Sequence, residues 1–317
     1  MTCYYANLDH EALLHVQGPD ALSFLQGQVT CDTRSLRADL ALPGACCTVQ
    51  GRVVFDFLLG QLEADHLVLR MRRDILASSA ALLAKYIVFS KAQLSSGDNG
   101  WRVLAVWGPQ AVTLLQGIFG AAPAGRFASC HGDGFLLVQT DAAGQQFECY
   151  LQDEVVGDMY RQLQSAAQSG SESDWQALQL AAGVARIETA TSGEYVPQML
   201  NYDLTGHISF RKGCYTGQEV VARLHYRGKP KRRLYLARID ADQLPDGRLP
   251  APGSPLYKDG TSQAAGNVIN SVATADGPVL LLVTATTDSL DGTLQLLSTQ
   301  GPELHISAVP YAVPENK

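Results

Sequence analysis

The chain has 317 residues and lacks the marks of several large protein classes. Charged residues are only 17% of it and hydrophobic residues 46%, which excludes wholesale disorder and fibrous repeats. No apolar run approaches the about 18 residues of a membrane span. The longest, Val279 to Val283 among them, have the length of a strand. There is no C-x-x-C, and the seven cysteines are odd in number with Cys46 and Cys47 adjacent, so neither a disulfide framework nor a structural zinc site is expected. The start, MTCYYANLDHEALLHV, carries acids and a histidine where a secretory signal needs a basic start and an apolar run. A reducing, cytoplasmic setting is therefore expected. The glycine-rich phosphate motifs G-x-x-x-x-G-K-[ST] and G-x-G-x-x-G are both missing, and so is any internal repeat.

What is present is an uneven charge. The net charge is -7, yet Arg211, Lys212, Arg223, Arg227, Lys229, Lys231, Arg232 and Arg233 lie within 23 positions that hold one acid, Glu219. That stretch carries +7 and the remainder -14. Such a concentration suits a small anionic ligand; the plainer reading is a solvated basic hairpin. The acidic remainder opposes general nucleic-acid binding.

At roughly 150 residues per domain the length gives about two domains. Hydrophobic periodicity predicts a helix after Gly18-Pro19-Asp20, strands over 53–59 and 66–71, and a helix capped by Asp74. It further predicts a strand over 101–107, a helix after Gly108-Pro109, strands over 134–140 and 146–151, and a helix over 154–168. Asp174 is expected to cap another helix. From Arg232 onward short β-rich runs alternate with Gly, Pro and Asp turns, the pattern of an antiparallel barrel. The strand–helix alternation of 46–130 suits a ferredoxin-like α+β sandwich.

One segment concentrates chemistry: K-G-C-Y-T-G-Q-E at 212–219, followed by V-V-A-R and Y-R-G. Its glycines permit close backbone approach. Lys212 and Arg223 supply cations, Gln218 and Glu219 can pair with a heteroaromatic edge, and Tyr215 and Tyr226 offer stacking faces. Basic neighbours favour the thiolate of Cys214. His207 and His225 flank it at seven and eleven residues, so a Cys-His pair is conceivable.

This segment resembles the signature of the YgfZ family of folate-binding iron–sulfur maintenance proteins, whose mitochondrial counterpart is the IBA family. The resemblance extends to L-H-V-Q-G-P-D-A-L-S-F-L-Q-G-Q-V-T-C-D at 14–32, G-R-V-V-F-D-F at 51–57, K-Y-I-V-F-S-K at 85–91 and Y-R-G-K-P-K-R-R at 226–233. More distantly, the chain is similar to the aminomethyltransferase of the glycine cleavage system.

The resemblance implies a three-domain aminomethyltransferase-like α+β fold around a channel that binds tetrahydrofolate or a one-carbon derivative. Its division would be 1–45 with 131–228, a ferredoxin-like insert at 46–130, and a barrel at 229–317. Lys212, Gly213, Cys214, Gly217, Gln218 and Glu219 match the family motif, and Arg223 and Arg227 the basic residues after it. Asp56 matches the second of two adjacent aspartates beside the aminomethyltransferase's folate site; the first is Phe55 here. An approximate alignment puts Ala181 where that enzyme has a folate-binding glutamate. These departures argue against glycine-cleavage activity. The expected function is tetrahydrofolate binding in support of iron–sulfur cluster assembly or repair, and through it tRNA thiolation. The alternative is a folate-dependent one-carbon transferase. The implied partners are the folate and iron–sulfur client or assembly proteins, with no direct nucleic acid and no membrane, and a monomer is expected. A single thiolate cannot hold an iron–sulfur cluster, so no resident metal is expected.

Overall fold

A computed structural model of the protein describes residues 2–97, 100–258, 261–275, 277–287 and 293–314. The chain gathers into two compact units. One comprises Met1–Cys46, Phe55–Glu172 and Arg211–Tyr215; the other comprises Cys47–Val54, Ser173–Phe210 and Thr216–Lys317.

The first unit contains β1 (Tyr4–Asn7), β2 (Glu11–Gln17), β3 (Leu42–Cys47), β4 (Val53–Glu63), β5 (His66–Arg72), β6 (Gln93–Ser95), β7 (Trp101–Trp107), β8 (Ser129–Gly132), β9 (Phe135–Gln139), β10 (Gln146–Gln152) and β11 (Gln168–Ser169). β3 and β4 each run one or two residues into the second unit. The helices are α1 (Ala21–Gln26), α2 (Arg73–Ala84), α3 (Ala111–Phe119) and α4 (Asp153–Ala166). The strands form two sheets, ordered β11-β1-β7-β10-β9-β8 and β3-β4-β5-β2-β6. Strands from 46–130 thus enter both sheets.

The side-chain period of two divides β10 between two environments. Phe147, Cys149 and Leu151 join Leu104 and Val106 of β7 in an apolar cluster with Leu115 and Phe119 of α3 and Leu163 of α4. The alternate residues, Glu148 and Tyr150, meet Arg70 of β5 instead. Arg70 grips Glu148 with two hydrogen bonds of 2.8 Å, Tyr150 donates to the same carboxylate at 2.7 Å, and Glu11 lies 3.6 Å from Arg70. All four are buried. Burial alone would pull the guanidinium down, but the carboxylates of Glu148 and Glu11 outweigh it and hold Arg70 charged.

The second unit takes α5 (Glu172–Ala181, whose first residue belongs to the first unit), α6 (Gln218–Arg227), β12 (Arg232–Ile239), β13 (Pro255–Lys258), β14 (Ala264–Ala273), β15 (Val279–Thr286), β16 (Leu294–Leu296) and β17 (Glu303–Ser307). The strands close into a barrel ordered β12-β15-β14-β13-β16-β17. Ile239, Leu256, Val268, Leu281, Val283, Leu294 and Leu296 fill it. Closure leaves no unpaired edge. The barrel is therefore where the strand-rich pattern after Arg232 placed it.

Several expectations shift. Asp74 does not cap α2: β5 runs straight into the helix through the extended Arg72, and Asp74 falls in the first turn, where its charge suits the helix dipole. Asp174 likewise lies inside α5. Residues 218–227 form a helix and not a basic hairpin. No described helix is long and apolar enough to cross a membrane.

Candidate functional site

The K-G-C-Y-T-G-Q-E segment is held at two points by different physics. At the first, Lys212 of the first unit sends its side chain to α1. Its Nζ donates to the carbonyl oxygens of Gln26 at 2.8 Å, Val29 at 2.5 Å and Cys31 at 2.8 Å. The carbonyls at a helix C-terminus have no partner within the helix and carry the negative end of its dipole. A lysine 186 residues away in sequence supplies what the short helix and its following turn lack. Lys212 is 6% exposed, and its ammonium lies 5.0 Å from the centroid of the Tyr215 ring. Burial lowers its pKa to about 8. At neutral pH the ammonium is charged and all three of its protons are engaged inside the protein.

Lys212 is a positioning residue that ties 212–215 to Q-G-Q-V-T-C at 26–31. The neighbouring Cys31 is driven up to about 12 by burial, so it stays a thiol.

Beyond this anchor Gly213 and Cys214 are exposed. A Cβ built on Gly213 would meet nothing, and its φ lies outside the left-handed region. Nothing in the protein's own packing demands glycine there.

The second point is Gly217, in the second unit. It precedes α6 with φ +84°, and a Cβ on it would lie 2.3 Å from the Thr48 carbonyl oxygen. The turn it meets is built by Thr48, whose hydroxyl accepts from the amides of Gln50 and Arg52. Gly51 of that turn has φ +72°, and a Cβ there would lie 2.8 Å from Val220 Cβ. Two glycines from two sequence motifs interlock, and neither tolerates a side chain.

α6 then runs outward with Val221 buried and Glu219, Arg223 and Arg227 exposed. Gln218 is half-buried at its first turn. His225 stacks on Phe210 at 3.6 Å, while His207 stacks on Tyr202 at 4.2 Å and pairs with the Thr205 hydroxyl at 2.9 Å. The ring contacts of both histidines are thus with aromatic neighbours in their own unit.

The basic cluster is correspondingly thinner than its count implied. Lys212 is anchored, and Arg233 is buried against Asp203 at 2.7 Å with the Gln198 carbonyl at 3.0 Å. Arg211, Arg223, Arg227, Lys229 and Lys231 remain exposed.

Asp56 lies in the first unit, within β4 and not at a strand end. It is 2% exposed and contributes to the field that keeps Arg70 charged. Its carboxylate is closed off from solvent. Ala181 is the last residue of α5. The Arg70–Glu148–Glu11 group went unnoticed, because its members lie 59, 78 and 137 positions apart and no local spacing marks them. Among the described residues no three His, Cys, Asp or Glu side chains converge as metal ligands.

The GCVT N-terminal domain model matches residues 4–171. The chain is 32% identical over 311 residues to the tRNA-modifying protein YgfZ of Escherichia fergusonii, covering 97% of this chain and 93% of that one. The chain belongs to the YgfZ family. The YgfZ protein of Serratia proteamaculans is 31% identical over 312 residues, with 98% and 93% covered. Among solved structures, the glycine cleavage system aminomethyltransferase T from Bartonella henselae superposes with a TM-score of 0.75 at 17% identity, covering 97% of this chain and 85% of that one. The α+β fold with its closed barrel is therefore the aminomethyltransferase fold, in a YgfZ sequence.

Proposed function

We propose that this YgfZ-family chain binds tetrahydrofolate or a one-carbon derivative and thereby supports iron–sulfur maintenance and tRNA modification. The relatives' name supports the tRNA-modification part, and the aminomethyltransferase fold supports the folate. The iron–sulfur part rests on the resemblance of the 212–219 motif. The observation that carries the reading is the pair Lys212 and Gly213. A buried ammonium fixes the chain immediately before a glycine that no neighbouring atom requires. At an exposed glycine the backbone is open to close approach by a ligand.

In this reading Gly213 and Cys214 approach the ligand, and Lys212 and Gly217 hold them in place. Gln218 and Glu219 pair with the pterin edge, and the guanidiniums of Arg223 and Arg227 take the tail carboxylates, which they fit in a bidentate manner. Client or assembly proteins are reached after binding, with Cys214 in that later step.

Titration calorimetry with tetrahydrofolate tests this. The expected result is saturable binding that weakens at least about tenfold in the Arg223→Ala/Arg227→Ala double variant while the unfolding transition stays unchanged. Absence of binding to the wild-type chain overturns the reading. Formaldehyde release from methylenetetrahydrofolate would instead assign the chain its own one-carbon turnover.

A further inference from the structure

A second candidate site lies within the first unit and does not involve the 212–219 motif. It is a cleft of about 720 Å³ at one end of both sheets. The β4–β5 hairpin brings Leu62, Glu63 and His66 to it, the β8–β9 hairpin brings His131 and Asp133, and His15, Gln17, Ser95, Trp101 and Gln152 complete the wall. Its size falls within the range of small-molecule sites.

Three observations fix the chemistry of an occupant. The first is charge. Glu63 and Asp133 are exposed carboxylates at the cleft, and among the described residues no lysine or arginine lines it. His15 is lowered to about 4 by burial and by His66, and burial lowers His66 too, so neither cancels the negative field at neutral pH. The second is the aromatic wall. The His15 and Trp101 rings pack at 5.8 Å between centroids, and an indole face attracts cations.

The third is a polar atom without a partner. Gln17 Nε2 lies 3.4 Å from His66 Nδ1, and His66 Nε2 lies 2.7 Å from His15 Nδ1. With Gln17 donating to His66 and His66 donating to His15, the remaining proton of His15 sits on Nε2. That atom is buried and unpaired, on a residue only 3% exposed. A buried donor left open costs about 1–3 kcal/mol, and here it sits on a residue that lines the cleft.

We infer that this cleft binds a small aromatic amine: a protonated amino group set between Glu63 and Asp133, carried on a planar ring that lies against Trp101 and His15. Anions are excluded by the same two carboxylates.

Titration calorimetry of the full chain at pH 7.5 with tryptamine and with indole-3-acetate tests it, since the two share a ring and differ in the sign of charge. The expected outcome is saturable tryptamine binding, at least about tenfold tighter than that of indole-3-acetate. The Glu63→Gln/Asp133→Asn variant should lose at least about tenfold in tryptamine affinity. Both residues are exposed, so its melting temperature should match the wild type. Three results would each overturn the inference: no saturable binding up to about 5 mM tryptamine, equal affinity for the two indoles, or unchanged affinity in the double variant.

Discussion

Gly213 and Gly217 stand four residues apart in one motif, look alike in sequence, and do different work. Gly217 is fixed by its own protein: a left-handed φ and a backbone oxygen 2.3 Å from where a Cβ would be. Gly213 has open space and no backbone reason to be glycine. The difference separates two meanings of a glycine in a motif. One builds the site and the other leaves room in it. The same division runs through the cations, where Lys212 is enclosed by three carbonyls and Arg223 and Arg227 face outward.

The largest effect should come from Gly217→Ala. The new methyl cannot be accommodated by a rotamer change, because it meets backbone and the residue already sits at positive φ. A loss of about 3–4 kcal/mol is expected, read as a lower midpoint in urea unfolding. A near-neutral Gly217→Ala would erase the distinction between the two glycines.

Lys212→Met comes next, at about 2–3 kcal/mol. It keeps the length of the side chain but leaves three carbonyls without their donor. Tetrahydrofolate affinity should fall together with stability, as suits a residue that positions Gly213. Loss of affinity with stability untouched would return Lys212 to the role of direct ligand.

How much of this could be read in advance follows from where the information lies. The barrel was legible because Val279–Thr286 and its neighbours alternate between Gly and Pro turns. α6 was not, because Gly217 caps it without a side-chain hydrogen bond and Val220, Val221 and Tyr226 are no strong helix formers. The motif itself was legible as a motif, but the anchoring of Lys212 was not, since its acceptors are backbone carbonyls and leave no trace in residue type. The burial of Asp56 was hidden for a related reason. β4 is buried on both faces, so the alternation that marks an outward residue is missing around it.

A pH titration sharpens the contrast between enclosed groups. Lys212 is buried, charged and satisfied; His15 is buried, uncharged and has one nitrogen open. Unfolded histidine takes up its proton near pH 6.5, whereas His15, held by burial and by His66, does so only near 4. Glu63 faces His66 and works against the shift there, and Gln17 and Trp101 are uncharged neighbours. Between these values the unfolded chain binds more protons, so stability falls as pH drops from about 6.5 to 4, by about 2 kcal/mol through His15. Lys212→Met should keep this acid loss and His15→Gln should remove most of it, measured as unfolding free energy against pH. An acid loss that persists in His15→Gln would move its origin elsewhere.

The smallest effect on stability, and the sharpest test of the opening contrast, is Gly213→Ala. Its Cβ meets no atom within 4 Å and its φ is not in the left-handed region, so the change in unfolding free energy should stay within about 0.5 kcal/mol. If the space beside Gly213 is kept for the folate, the same methyl should weaken tetrahydrofolate binding while the protein remains as stable as before. The pairing of the two measurements matters more than either alone. A stable variant with unchanged affinity would show that the clearance at 213 serves no ligand, and the functional reading would lose the observation on which it rests. A variant that loses affinity alone would show that the fold requires one of these two glycines and the ligand requires the other.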